Sequence, residues 1–169
     1  TQSHMKLASG IAPAGRLLSA GVAVGLGTDG CASNNDLDMF GEMDMTAKLH
    51  KVCSRDPTVM GAETVLRMAT LGGAEAMGLG DITGSLEPGK QADIIIVDTR
   101  KPHLTPLYHP VSHLVYAASG ADVKDVIIAG GPVVRDYCLL TLDAASVVKQ
   151  AKRIGKDLHT GRAKETRTG

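Results

Sequence analysis

The chain has no tryptophan, one phenylalanine and three tyrosines among its 169 residues. So small an aromatic complement removes the stacking platforms that hold single strands and unpaired RNA bases. An excess of one charge is lacking too, because 18 lysines and arginines balance 18 aspartates and glutamates. Without a basic footprint, nucleic acid is not an expected partner. Long apolar runs are missing: the longest, 22–26 and 94–97, fall far short of the ~20 residues of a membrane helix. No signal peptide opens the chain and no membrane partner is expected. Cysteine is scarce, and Cys31, Cys53 and Cys138 are widely spaced and odd in number, which gives neither a disulfide framework nor a C-x-x-C metal knuckle. That usage fits a reducing compartment, so a cytoplasmic location is expected. The sequence contains no repeat and no low-complexity segment.

What is present is ordinary globular material, 43% hydrophobic and 21% charged, in a length suited to one domain and a small appendage at roughly 100–200 residues each. A core without staples is expected. The chain opens Thr1-Gln2-Ser3-His4-Met5. With no initiator methionine in first place, either sequence precedes it or something was cut away, and Ser-His-Met also matches the remnant of a removed tag.

Residues 14–20 suggest a short helix after Pro13. The run 22–27 is apolar without alternation and predicts a strand buried on both faces, as in a parallel sheet. A polar loop, 30–35, leads to a helix running to about Val52, with Asn35 as its cap and Leu37, Phe40 and Ala47 on one face. Asp56-Pro57 reads as cap and first helical residue of a helix reaching Gly72-Gly73, and 74–77 adds one more turn before Gly78. The texture then changes, placing a boundary near Leu79. Pro88-Gly89 suits the centre of a type II turn, and 94–98 predicts a buried strand. Residues 126–135 predict a hairpin across Gly130-Gly131. From Asp143 a helix is expected with Val147, Ala151, Ile154 and Leu158 on one face, followed by a frayed tail over 160–169.

Asp29 is the first candidate for chemistry. It stands at the C-terminal end of the 22–27 strand, the edge where parallel α/β sheets place reactive groups. A carboxylate there can ligate a divalent metal and accept a proton from water, or it can simply close a turn. Ser33, four residues on, can serve the substrate or shape the loop. Cys31 reads as a small buried residue, since nothing marks a lowered thiol pKa. None of the six histidines forms His-x-His or His-Glu-x-x-His. His109 and His113 could share a helix face only with Pro110 in its first turn. His50 falls late in its helix, where an imidazolium suits the dipole, and His159 falls in the tail. The glycines of Gly25-x-Gly27-x-x-Gly30 match a dinucleotide fingerprint formally, but their spacing consumes the strand itself.

The segment Gly25-Leu26-Gly27-Thr28-Asp29-Gly30, continued by Ala32-Ser33-Asn34-Asn35-Asp36-Leu37-Asp38-Met39-Phe40-Gly41-Glu42-Met43, resembles the amidohydrolase superfamily. Within it the likeness is to the 5-methylthioadenosine/S-adenosylhomocysteine deaminase branch, whose relatives include guanine deaminases and s-triazine chlorohydrolases. Lys6 to Pro13 and Gly84-Ser85-Leu86-x-x-Gly89-Lys90-x-Ala92-Asp93 extend the match, and it covers the chain from Ser3 to about Leu158. His4 departs from an asparagine common in the family. The resemblance implies an α/β fold: a (β/α)8 barrel with one metal, plus a small β-sandwich. Such a barrel takes ~250 residues, so this chain corresponds to a C-terminal piece. Residues 1–78 would be the last barrel strand and helices, 79–137 the C-terminal share of the sandwich, and 138–169 a closing helix and tail.

The same resemblance makes Asp29 the metal-bound aspartate and catalytic proton acceptor, and assigns Ser33 to substrate. The complete enzyme would carry one divalent metal, zinc by family habit, and would deaminate a nucleoside-like substrate of adenosine type to the inosine analogue and ammonia. The family's metal histidines and its acid/base glutamate and histidine have no counterpart here. The piece alone is therefore expected to be inactive and metal-free. Rival expectations are another amidohydrolase activity, guanine deamination or triazine dechlorination, or a non-catalytic assembly domain. An orphaned barrel strand would leave apolar surface in need of a partner, so a homo-oligomer is expected.

Overall fold

The computed structural model describes residues 1–160. Two short helices, α1 (Gln2–Lys6) and α2 (Ala14–Ser19), lead to the long α3 (Met39–Ser54), followed by α4 (Ala62–Ala69) and α5 (Leu71–Ala76). Strand β1 (Ile94–Val97), helix α6 (Pro110–Tyr116), strands β2 (Val123–Ile128), β3 (Gly131–Arg135) and β4 (Cys138–Leu139), and helix α7 (Ala144–His159) complete the order. The four strands form one antiparallel sheet in sequence order. The chain is α/β in content.

The core lies among α3, α4 and α6. Phe40, Met43 and Ala47 recur at helical spacing and meet Val65 and Met68 of α4 and Val115 of α6, with Val97 and Val123 of the sheet against them. In α6 the proline constraint is satisfied: Pro110 takes the first position, where its missing N–H costs nothing, and His109 Nδ1 accepts from Ser112 N at 3.1 Å. His109 is thus the cap and shares no helix face with His113.

Several expectations are corrected. Asn35 does not cap α3, because it lies at φ 83° in a turn, whereas the Asp38 carboxylate reaches Phe40 N at 2.9 Å. Asp56 binds Thr58 N and Thr58 Oγ1 at 2.8 and 2.6 Å and closes a local turn, so α4 waits until Ala62. The strand expected over 22–27 is not formed: the run belongs to no ladder, and Val22 is 47% exposed. Among the described residues no strand flanks it, so its edges and one side stay open. Its attachment is to the α4–α5 junction, where Leu26 N donates to Met68 O at 3.1 Å. Gly25 closes that junction: a Cβ there would lie 2.8 Å from Gly73 Cα.

The sheet follows its turn chemistry. Lys90 N donates to Glu87 O at 3.2 Å across Pro88-Gly89, with Gly89 at φ 96°, as a type II turn requires. The hairpin turns one residue earlier than expected, on Ala129 (φ 48°) and Gly130 (φ 81°), with Ile128 opposite Gly131. Strand β1 is not buried as its apolar run predicts, since Ile95 and Ile96, on opposite faces of the strand, are 51% and 47% exposed. Asp143 caps α7 by accepting from Ser146 N at 3.2 Å, and α7 buries none of its residues. His159 ends α7 rather than entering a tail. The tail expected beyond it, 161–169, lies outside the described residues. No helix among the described residues is long and apolar enough to cross a membrane.

Candidate functional site

Asp29 sits two residues past Gly27 with φ 66°, left-handed backbone that aspartate tolerates better than most residues. Its Oδ2 accepts from Ser33 Oγ at 2.7 Å and its Oδ1 from Gly30 N at 2.7 Å. Those two donors, Ser33 first, hold the exposed carboxyl below its ordinary pKa, with Ser3 and His4 adding to the effect. The group is therefore anionic at neutral pH, with lone-pair capacity left on each oxygen. Ser33 Oγ also lies 3.0 Å from Gly30 O, so its single hydrogen is shared between the carboxylate and the loop carbonyl.

Ser3, Asn34 and Glu42 complete the surroundings, and of these sequence reasoning missed Ser3 and Glu42. Ser3 of α1 is buried and its hydroxyl donates to Thr28 O at 3.3 Å. Asn34 is buried, and its Oδ1 accepts from Leu37 N at 2.8 Å and Asp36 N at 3.2 Å, which fixes the exit of the loop. Glu42, with no exposed surface, accepts from Asn34 Nδ2 at 2.9 Å. Helical spacing gave no signal for Glu42, which lies about 100° around α3 from Met43 and about 160° from Phe40. Lys6 of α1 also donates to Asn35 Oδ1.

Other candidates lie apart. Cys31 is exposed on the open loop instead of buried, because nothing among the described residues covers it. Burial pushes the His50 imidazole down, toward its neutral form and against the dipole's preference. His50 and His4 both line a cleft of about 180 Å³, together with Ile11, Leu26 and Met68. The Gly25-x-Gly27-x-x-Gly30 pattern is followed by turns and opens no helix. Catalytic zinc takes three protein ligands and a water. Among the described residues no three His, Cys, Asp or Glu side chains converge. Asp29 offers one ligand, and these residues alone do not fit the metal.

The Amidohydrolase family matches residues 1–133. A protein of Syntrophobacter fumaroxidans named 5-methylthioadenosine/S-adenosylhomocysteine deaminase is 57% identical over 157 residues, covering 93% of this chain and 36% of that protein. One of Methanosarcina mazei named 5'-deoxyadenosine deaminase is 51% identical over 156 residues, covering 92% and 36%. The crystal structure of an adenosine deaminase from Xanthomonas campestris with bound zinc superposes with a TM-score of 0.91 at 48% identity, covering 94% of this chain and 36% of that one. Atrazine chlorohydrolase from Arthrobacter aurescens, complexed with zinc, gives 0.81 at 28% identity over 90% and 34%. The chain thus spans about a third of the length of the curated relatives it matches. With the family matched over residues 1–133, the Asp29 loop included, the chain belongs to the amidohydrolase family.

Proposed function

We propose that this chain is the C-terminal third of a metal-dependent aminohydrolase that deaminates an adenosine-type nucleoside, 5-methylthioadenosine or S-adenosylhomocysteine, to the inosine analogue and ammonia. The observation that carries it is the Asp29 carboxylate, held by Ser33 and Gly30, in a chain 51–57% identical to relatives bearing deaminase names. In this reading 22–27 is the last strand of a (β/α)8 barrel, and β1 to β4 are part of a sandwich completed by residues elsewhere in the protein. A divalent metal, zinc as in the solved neighbours, would take its remaining ligands from there too.

In the reaction water adds to the ring carbon bearing the exocyclic amine, the C–N bond breaks, ammonia leaves and a carbonyl remains. Asp29 takes a proton from the water and passes it toward the departing nitrogen. Ser33 holds the carboxylate in the required orientation and reaches substrate. A cytoplasmic location and assembly into a homo-oligomer belong to the same reading. The test is ammonia release by the longer protein from 5-methylthioadenosine, S-adenosylhomocysteine, guanine and a chloro-s-triazine. Turnover of the adenosine-type pair, lost in Asp29→Asn, is expected. Preference for guanine or triazine, or wild-type rates in Asp29→Asn, would overturn it.

A further inference from the structure

Glu42 is a carboxylate with no exposed surface in a chain whose proposed chemistry does not use it. A buried charge of this kind is costly unless it is fully hydrogen-bonded, so its partners show what it is there to hold. Its Oε1 accepts from Asn34 Nδ2 at 2.9 Å and from Gln2 N at 3.1 Å, and its Oε2 from Gln2 N at 3.3 Å and the Thr1 nitrogen at 2.5 Å. That last nitrogen is a donor whether it is an amine or part of a peptide bond. Asn34 and Gln2 are the chain neighbours of Ser33 and Ser3. Ser33 binds the Asp29 carboxylate, and Ser3 binds the carbonyl of Thr28 just before it. One carboxylate therefore anchors both segments that bear on Asp29, the loop on one side and α1 on the other.

We infer that Glu42 is a positioning residue for Asp29, acting through Asn34 and Gln2. This rests on the catalytic reading of Asp29 given above. The donor–acceptor polarity of the Glu42–Asn34 pair supplies the test. In Glu42→Gln one oxygen becomes a donor and can no longer satisfy both neighbours. In Asn34→Asp two acceptors face each other in a buried site. In the double variant the polarity is reversed but complete. The amide introduced at position 42 donates to the carboxylate introduced at position 34, and its oxygen still accepts from Gln2 N. That carboxylate in turn still accepts from the backbone of Asp36 and Leu37.

The experiment measures steady-state deamination and hydrogen exchange of the 30–37 segment in the longer protein for wild type, both single variants and the double. Kinetic values are normalised to the folded fraction. Each single variant should lose about tenfold or more in kcat with KM little changed, the scale of a small misplacement of a reacting group, and should exchange faster over 30–37. The double should recover kcat to within about threefold and regain protection, a rescue expected only if the pair's polarity sets the geometry. Wild-type kcat and exchange in Glu42→Gln would overturn the inference. Should Glu42→Gln not fold, the double decides: native protection with kcat still depressed overturns it, and recovery of both supports it. If wild type deaminates nothing, the deaminase reading fails by itself, while exchange over 30–37 still decides whether Glu42 holds the loop.

Discussion

At Asp29 the effect of a single hydroxyl can be isolated. Because Ser33 is the foremost influence lowering its pKa, Ser33→Ala should raise the Asp29 pKa toward the ordinary carboxylate value, read by NMR titration of its side-chain carbonyl. An unchanged titration would show that Gly30 N suffices. Asp122 offers a separate test of charge. Burial alone would push its carboxyl up, but His103, Lys101 and Ser119 donate to it and hold it well below the usual carboxylate range. With the folded pKa depressed, its contribution is present above the unfolded value of about 4 and is lost as pH falls below that. Asp122→Asn should cost on the order of 2 kcal/mol at pH 7 and much less near pH 2, measured by urea unfolding. Equal losses at both pH values would remove the ionic argument. That Asp29 and Ser33 share one loop was legible in sequence, because the end of the apolar 22–27 run and the motif coincide there. Glu42 was not, because a glutamate within a helix ordinarily faces water, and only the tertiary fold brings it to Asn34.

Elements defined by local chemistry were the legible ones. The Pro88-Gly89 turn, the β2–β3 hairpin and the capped α7 each depend on residues within a few positions of one another. Where two local signals competed, the boundary moved: Asp56 satisfied its own turn and delayed α4, and Asp38 displaced Asn35 as the cap of α3. The 22–27 run reads as a buried strand but forms none, since pairing and burial depend on neighbours that its own sequence does not encode. Its seat can be tested with Gly25→Ala, whose methyl would meet backbone at 2.8 Å. A loss of about 1–3 kcal/mol is expected in chemical denaturation. A neutral result would mean that the segment moves freely off the α4–α5 junction. Ala129 bears positive φ in a two-residue turn. Ala129→Asn should therefore stabilise by roughly 0.5–1 kcal/mol, visible as a higher midpoint of unfolding.

At the scale of the whole molecule, the apolar surface is distributed unevenly. The helical core is closed, whereas Ile95, Ile96 and Ile128 of the sheet and Val147, Ile154 and Leu158 of α7 are about half exposed or more. Surface of this extent on an isolated chain should drive self-association. Sedimentation velocity over rising concentration should show it, and a monomer throughout, with low binding of a hydrophobic dye, would contradict it. One side chain also ties two stretches of the chain that are far apart in sequence. Asp38 accepts from Phe40 N with Oδ1 and from Gly120 N with Oδ2, across 82 residues of sequence. During synthesis, which proceeds from the N-terminus, α3 therefore emerges with its cap only half engaged. The loop after Asp29 reaches its final tether once the chain through Gly120 has been made, so the order of translation schedules the candidate site to be completed late.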